Sequence, residues 1–128
     1  MTLMLLLPWP PSVNTYWRHC RGRHYIGAAG RVFRAAVKQA VKERGLEGRM
    51  AGALSVHVYA HPPDQRRRDL DNLLKAPLDA LQSAGVYEDD SQITLLSIGR
   101  GETRPKGQLF VHITQTTETT QTTETTCN

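Results

Sequence analysis

The segment Leu54–Ala60 alternates between apolar and polar side chains, and this pattern constrains the fold of the chain more strongly than any other. Every second residue from Leu54 onward is apolar, and Ser55, His57 and Tyr59 lie between them. Successive side chains of a β-strand point to opposite faces of its sheet. The segment therefore predicts a strand with one face against a hydrophobic core.

The first half of the chain predicts another strand, a loop and a helix. Leu3–Leu7 is apolar on both faces and precedes a proline-rich stretch, which indicates a short buried strand. Ser12–Gly30 has no hydrophobic period and indicates a long loop. Arg31–Arg44 places its apolar residues at helical spacing and is followed by Gly45, a typical helix stop.

The second half predicts a helix and two strands. Asn72–Ser83 carries leucines on one face and ends near Gly85, which indicates a second helix. Ile93–Ile98 and Leu109–Ile113 predict strands on either side of a turn. The order strand, helix, strand, helix, strand, strand predicts an α/β (α+β) fold with a small mixed β-sheet and two main helices. Because two helices leave part of such a sheet uncovered, the pattern also favours dimerisation.

Size and composition limit the chain to a single domain with a modest core. It has 128 residues, and its longest apolar run, Leu3–Leu7, is far shorter than a membrane helix of ~20 residues. The two cysteines, Cys20 and Cys127, are too few for a disulfide framework or a cysteine zinc site. We therefore expect no membrane association and a reducing, cytoplasmic compartment.

The end of the chain differs in composition from the rest. From Gln115 the sequence Gln-Thr-Thr-Glu-Thr-Thr occurs twice in succession and offers no apolar residue to bury. Such a segment cannot offset its ordering entropy, so we expect it to be disordered. The sequence thus predicts a folded domain over residues 1–114 and a disordered Thr/Gln/Glu-rich tail over residues 115–128.

Charge is distributed unevenly along the chain. Up to Arg68 there are 12 lysines and arginines against three acidic residues, a balance of +9. From Asp69 onward there are four against nine, a balance of −5. A polycationic half is typical of proteins that bind an anionic polymer, most often nucleic acid. A solvated basic surface without a partner is the alternative interpretation.

The two charge regimes meet in Arg66-Arg67-Arg68-Asp69-Leu70-Asp71-Asn72, between a predicted strand and a predicted helix. Side chains two residues apart point to the same side of an extended backbone but about 200° apart on a helix. If the chain is extended here and Asp71 or Asn72 caps the helix, the carboxylates of Asp69 and Asp71 face the same space. Lys75 then lies above Asp71 on the first helical turn.

Converging carboxylates without a histidine favour a hard cation that prefers oxygen ligands, Mg²⁺ or Mn²⁺. Such an ion suits a phosphodiester substrate because it activates water and neutralises charge on the leaving oxygen. A lysine can stabilise the developing negative charge, and arginines can hold phosphates through paired hydrogen bonds. The structural alternative is that Asp71 caps the helix, Asp69 pairs with an arginine and Lys75 pairs with a residue one turn away.

Four motifs occur in order along the chain. They are Leu7-Pro8-Trp9-Pro10-Pro11-Ser12 with Asn14 and Tyr16, Arg66-Arg67-Arg68-Asp69-Leu70-Asp71-Asn72-Leu73 with Lys75, Leu78-Asp79-Ala80-Leu81, and Asp89-Asp90. Through these motifs the chain resembles the RusA family of Holliday junction resolvases, from residue 1 to about residue 114. The resemblance implies a homodimeric, Mg²⁺-dependent endonuclease that cuts four-way DNA junctions symmetrically. It also implies that Asp69, Asp71 and Asp90 are the catalytic, metal-binding aspartates, that Lys75 is the catalytic lysine and that Arg68 takes part in cleavage.

Pro77 departs from the family pattern because it falls inside the second predicted helix, where it removes a hydrogen bond or introduces a kink. The loop before the first helix interleaves basic and aromatic side chains, an arrangement that suits contact with nucleic acid. The predicted DNA contacts are Asn14, Tyr16, Arg18, Arg66, Arg67 and Arg68.

Together these features predict a structure-selective DNA endonuclease that acts as a homodimer on branched DNA in recombination and repair. Two sites related by a two-fold axis would match a near-symmetric junction and allow paired nicks. Two alternatives stay open on the sequence alone. One is a nuclease of the same chemistry that acts on flaps, forks or RNA, and the other is a catalytically weak protein that binds junctions.

Overall fold

The computed structural model describes residues 2–12, 16–20 and 22–116. Its elements in chain order are β1 Thr2–Pro8, β2 Trp17–Cys20, β3 Arg23–Ile26, α1 Ala28–Glu43, β4 Leu54–His61, α2 Lys75–Ser83, β5 Ile93–Arg100 and β6 Gln108–Gln115. Two short 3₁₀ helices, Leu70–Leu73 and Asp90–Gln92, precede α2 and β5. Over these ranges no helix is long and apolar enough to cross a membrane.

Four strands form one mixed sheet in the order β1-β6-β4-β5. β6 pairs antiparallel with both β1 and β4, whereas β4 and β5 are parallel. Parallel neighbours require a crossover connection, and the segment that contains α2 provides it. The predicted α+β class, the mixed sheet and the two main helices are therefore confirmed.

The core lies between one face of the sheet and the two helices. Alternate residues of β1, β4 and β6 point into it, and the predicted inward residues of β4, from Leu54 to Ala60, are at most 1% exposed. The helices contribute Phe33, Val37, Val41, Ala76, Ala80 and Leu81. The alternate buried residues of the strands and the buried faces of the helices thus form a single hydrophobic cluster.

The segment Ser12–Gly30, predicted as a long loop, contains a β-hairpin formed by β2 and β3. Trp17 pairs with Ile26, and Gly22 in the turn has φ of +77°, a left-handed conformation that glycine adopts freely. Each strand has only four residues and no hydrophobic alternation, so periodicity could not reveal the pairing. The prediction of a loop is therefore wrong for this part of the chain.

The hairpin packs on the first turn of α1, which begins at Ala28, three residues before the predicted start. The backbone N–H of Gly27 donates to the Tyr16 carbonyl at 3.0 Å. A Cβ at Gly30 would lie only 2.8 Å from the same carbonyl oxygen, so the close approach requires a glycine there. At its other end the helix stops before Gly45, as predicted, and Gly45 has φ of +65°.

Pro77 is the third residue of α2 and does not interrupt it. The predicted second helix is divided into the 3₁₀ helix Leu70–Leu73 and α2, and the Leu78 N–H donates the first bond of α2 to Leu74 at 3.1 Å. Pro77 therefore occupies the first turn, where a backbone N–H has no partner within the helix. No hydrogen bond is lost and no kink is needed.

The folded region extends slightly beyond the predicted boundary at residue 114. β6 continues to Gln115, whose side-chain amide donates to the Ala51 carbonyl at 2.8 Å. The N–H of Thr116 donates to the Ala53 carbonyl at 3.0 Å. The remainder of the predicted tail, residues 117–128, lies outside the described residues.

Candidate active site

The loop between β4 and the first 3₁₀ helix is folded around the carboxylate of Asp64. This carboxylate accepts a hydrogen bond from the Arg66 N–H at 3.0 Å and forms an ion pair with Arg68 at 2.9 Å. The backbone N–H of Arg66, together with both arginine side chains, holds the pKa of Asp64 below its usual value. Sequence analysis missed Asp64, although an acid four residues before an arginine was a signal for a local ion pair.

The Arg68 side chain is bound within this loop. Its guanidinium donates to the carbonyls of Asp64 and Arg66 at 3.2 Å and lies 5.5 Å above the Trp9 ring centroid, so that 17% of the side chain is exposed. The Arg100 guanidinium donates to the Arg68 carbonyl at 2.8 Å. This bond ties the loop to the last residue of β5 and places Asp69 beside that end of the strand.

A cleft of about 430 Å³ opens beside Asp69. Its lining includes Trp9, Ser12, Arg67, Arg68, Asp69 and Asn72. The volume lies within the range of about 300–1,000 Å³ that is usual for small-ligand sites. Arg67 is exposed and forms no ion pair within the described ranges. The cleft therefore presents an available cation next to a carboxylate.

Asp69 and Asp71 do not share one extended segment. Asp69 is extended, with φ of −86° and ψ of 128°, but Asp71 lies inside the 3₁₀ helix that follows. The N-cap of α2 is Leu74, so the expectation that Asp71 or Asn72 caps this helix is wrong. Among the residues that the structure describes, no ion pair engages Asp69 or Asp71, so the alternative interpretation, in which Asp69 pairs with an arginine, is not supported. Both carboxylates are exposed and available to a cation.

Lys75 is the first residue of α2, and its side chain is exposed. Its Nζ lies 5.9 Å from the centroid of the Trp17 ring, at the start of β2. Within the described residues it forms no ion pair, so the alternative interpretation of a pair one turn apart is not supported, and its contact with Trp17 is of the cation–π kind. The hairpin, missed by sequence analysis, thus contacts the candidate catalytic lysine.

One turn further along α2, Asp79 joins three elements. Its carboxylate forms an ion pair with Arg34 of α1 at 2.6 Å and accepts a hydrogen bond from the Tyr16 hydroxyl. Burial, together with this bond to Asp79, raises the pKa of Tyr16 to about 12. Tyr16 is fully buried, so it anchors the hairpin and does not form the DNA contact predicted for it.

Two further DNA contacts were predicted before α1, at Asn14 and Arg18. Asn14 lies outside the described residues. Arg18 belongs to β2, but its side chain is also outside what the structure describes.

Asp90 begins the second 3₁₀ helix, and its N–H donates to the Gln82 side chain, in the last turn of α2, at 3.0 Å. Its neighbour Asp89 has a structural role, since it caps this helix by accepting a bond from Ser91 at 3.2 Å. The Ser91 N–H lowers the pKa of Asp89. Across the described ranges no three His, Cys, Asp or Glu side chains lie close enough to hold one metal ion. A single copy of the chain therefore does not gather Asp69, Asp71 and Asp90.

A carboxylate-bearing junction between a strand and a helix, next to an arginine-lined cleft, is typical of proteins that act on phosphodiesters. The family model described as endodeoxyribonuclease RusA matches residues 8–114. The chain is 40% identical over 114 residues to the crossover junction endodeoxyribonuclease RusA of Escherichia coli strain K12. The alignment covers 89% of this chain and 95% of that protein. It is 43% identical over 110 residues to the corresponding protein of Enterobacteria phage HK97, with coverages of 86% and 92%. The chain belongs to the endodeoxyribonuclease RusA family.

Proposed function

We propose that this protein is a DNA endonuclease that resolves four-way junctions by paired, symmetric nicks in recombination and repair. The observation that carries the proposal is the exposed carboxylate of Asp69 beside Arg67 in the cleft, within a chain of this family. The curated relatives are named crossover junction endodeoxyribonucleases, and the similarity spans nearly their whole length. Substrate class and reaction type both follow from that relationship.

The donor atoms near the cleft fit a magnesium ion. Mg²⁺ is commonly held by one or two carboxylates, while water and substrate phosphate oxygens fill its remaining positions. Asp69 and Asp71 offer carboxylates without a competing ion pair in the described part of the chain, and we infer that they hold the ion together with Asp90. When bound, Mg²⁺, or Mn²⁺ in its place, activates a water molecule and neutralises charge on the phosphate.

The cationic side chains have separate roles in this proposal. Lys75, one turn after Asp71, donates to the phosphate oxygen on which charge develops during cleavage. Arg67 lines the cleft, forms no ion pair in the described part of the chain, and binds a phosphate of the DNA backbone. Arg68 supports both by holding the loop in place through its bonds to Asp64.

We infer that the active form is a homodimer bound to branched DNA. The helices cover one face of the sheet, and the opposite face exposes Met4, Leu6 and Tyr59 by 46–50%. In the strand register both Leu6 and Tyr59 pair with Phe110, so they belong to one apolar patch. Exposed apolar patches of this kind mark interaction surfaces. We infer a cytoplasmic location, because the relatives come from bacteria and phages and bacterial DNA lies in that compartment.

A synthetic four-way junction, incubated with the protein in the presence and absence of Mg²⁺, tests the proposal. We expect two symmetric nicks with Mg²⁺ and binding alone without it. Preferential cutting of flaps, forks or RNA under the same conditions would indicate the same chemistry on a different substrate. Binding without cutting in both conditions would indicate a protein that only shapes the junction, and it would refute the proposed activity.

Single substitutions separate metal binding from DNA binding. Asp69→Asn, Asp71→Asn and Asp90→Asn should each abolish cutting while junction affinity stays equal or rises, because a metal ligand is lost along with a negative charge near phosphates. The measurements are the cleavage rate with Mg²⁺ and the Kd in EDTA. Asp89→Asn is the matched control, because Asp89 caps a 3₁₀ helix and should affect stability more than the rate. If a variant cuts at the wild-type rate, the aspartate that it replaces is not part of the metal site.

A further inference from the structure

The side chain of Lys75 contacts an aromatic ring, and within the described residues no carboxylate pairs with it. Its Nζ lies 5.9 Å from the centroid of the Trp17 ring. The attraction between an ammonium group and the face of an indole is electrostatic but involves no opposite charge. The contact therefore restrains Lys75 while its positive charge and its N–H donors stay available for a phosphate.

A carboxylate that could neutralise Lys75 lies one turn away but is already occupied. Asp79 follows Lys75 by four residues on α2, which is the spacing of ion pairs on a helix. Its carboxylate instead pairs with Arg34 of α1 at 2.6 Å and accepts the hydrogen bond from the Tyr16 hydroxyl. Among the described residues, the Lys75 ammonium group is thus left to Trp17.

The same carboxylate also attaches Trp17 to the helix that carries Lys75. Tyr16 is fully buried, and its ring packs edge-on against that of Trp17, with centroids 5.5 Å apart and planes at 74°. The bond from Tyr16 to Asp79 closes a circuit that returns along α2 to Lys75. Because both ends of this circuit lie on one helix, the indole keeps its position relative to the Lys75 backbone.

A lysine that acts on one particular phosphate oxygen gains from such a restraint. Its flexible four-carbon stem loses conformational freedom whenever the ammonium group is fixed on an oxygen. A partner that holds the side chain beforehand makes the reactive geometry more frequent. We propose that Trp17 is a positioning residue for cleavage, which pre-orders the Lys75 side chain for its bond to the phosphate. This inference rests on the proposed function, because it takes Lys75 as the donor to that phosphate.

The ring face of Trp17, and not its N–H group, has this role. The indole Nε1 is buried and has no hydrogen-bond partner in the described part of the chain. A phenylalanine in its place keeps an aromatic face, although a weaker one, whereas a leucine keeps only apolar bulk. Trp17→Phe and Trp17→Leu therefore reduce the attraction for an ammonium group in two steps.

Single-turnover cleavage of a four-way junction with Mg²⁺, at saturating protein, tests the proposal. We expect the rate to fall about twofold in Trp17→Phe and about fivefold in Trp17→Leu, the range that one cation–π contact supports. The Kd in EDTA should stay within about twofold of the wild-type value, because one phosphate contact among many is affected. A wild-type rate in Trp17→Leu, or equal losses in the two variants, overturns the proposal.

A double-mutant cycle shows whether Trp17 acts through Lys75. In a Lys75→Ala background, Trp17→Leu should slow cleavage no further, because the group that the indole positions is absent. A further loss of about fivefold in that background would mean that Trp17 acts by another route, and it would refute the positioning role.

Phe33→Leu is the matched control for an effect on stability alone. Phe33 lies in the core on α1 and packs edge-on against Tyr16, with centroids 6.5 Å apart. We expect Phe33→Leu to lower the Tm and to leave the single-turnover rate unchanged at temperatures well below it. If its rate falls as far as that of Trp17→Leu, the effect comes from general loosening of the hairpin, and the proposal fails.

Wild-type protein and Lys75→Ala separate this inference from the proposed function. Wild-type protein that does not cut the junction overturns the proposed function and this inference with it. Lys75→Ala that cuts at the wild-type rate removes Lys75 from the reaction. If the wild type cuts, Lys75→Ala is slow and Trp17→Leu keeps the wild-type rate, only the positioning role of Trp17 is overturned.

An NMR measurement tests the contact without metal or substrate. Side-chain protons of Lys75 that lie over the indole face are shielded by its ring current, so we expect their signals to be shifted upfield in the wild type. The signals are assigned by their loss in Lys75→Ala, and they should return to the usual lysine position in Trp17→Leu. Wild-type signals at the usual position would refute the contact on which the proposal depends.

Discussion

The three consecutive arginines before Asp69 should contribute unequally to DNA binding when each is replaced by glutamine. Arg67 is exposed and lines the cleft, and in the described structure no acidic side chain competes for it. Arg66 is also exposed but shares the carboxylate of Asp64 at 3.3 Å. Arg68 is bound to that carboxylate and to two carbonyls. We therefore expect the largest loss of binding for Arg67→Gln and the smallest for Arg68→Gln.

The magnitude follows from counterion release. Each lost phosphate contact reduces the slope of log K against log[salt] by about 0.9, so a homodimer that loses two Arg67 contacts should lose about 1.8. Wild-type binding therefore weakens more steeply with salt. When salt rises from about 50 to about 200 mM, the ratio of the wild-type to the Arg67→Gln association constant should fall about 12-fold. For Arg68→Gln we expect almost no change in slope but a lower Tm, because Asp64 loses its ion pair with Arg68 at 2.9 Å and keeps the one with Arg66. Arg66→Gln should lie between the two.

The assay is fluorescence anisotropy of a labelled four-way junction at several salt concentrations, in EDTA so that no cleavage occurs. Thermal unfolding of the same variants provides the stability measurement. Equal slope changes for Arg67→Gln and Arg68→Gln would refute the distinction drawn from their contacts. An unchanged slope for Arg67→Gln would mean that this guanidinium does not bind phosphate.

Lys75→Ala should slow single-turnover cleavage at saturating protein by about 100-fold, while the Kd changes about twofold. If the rate is fully recovered at saturating protein, Lys75 contributes to DNA binding only. Tyr16→Phe removes a partly buried hydrogen bond to Asp79 and should lower the free energy of unfolding by about 1–2 kcal/mol in urea titrations. Because folding holds the pKa of Tyr16 at about 12, above its usual 10, wild-type stability should fall as pH rises from 10 towards 12, and this fall should be shallower in the variant. Truncation after Thr116 should leave the Tm unchanged, whereas truncation after Thr114 removes the bonds to Ala51 and Ala53 and should cost about 1–2 kcal/mol; equal losses would contradict this boundary.

The main elements could be predicted from the sequence because one-sided burial imposes a period on it. The alternation from Leu54 to Ala60 and the glycine stops at Gly45 and Gly85 each act over a few residues, so they are visible without tertiary contacts. The hairpin was not visible in this way. It is held by contacts distant in sequence, such as the bond between Tyr16 and Asp79, and these leave no local period.

The sequence by itself determined which chemical groups this protein has: aspartates for a hard cation, a lysine and arginines for phosphates, and alternating apolar residues for a sheet. Only the tertiary structure decided where those groups lie. It pairs Arg68 with Asp64, buries Tyr16, and places Asp69 and Asp90 at opposite ends of β5. The physical reason is that the acidity and ligand preference of a side chain are local properties, whereas the distance between two side chains depends on how parallel strands are connected through a helix.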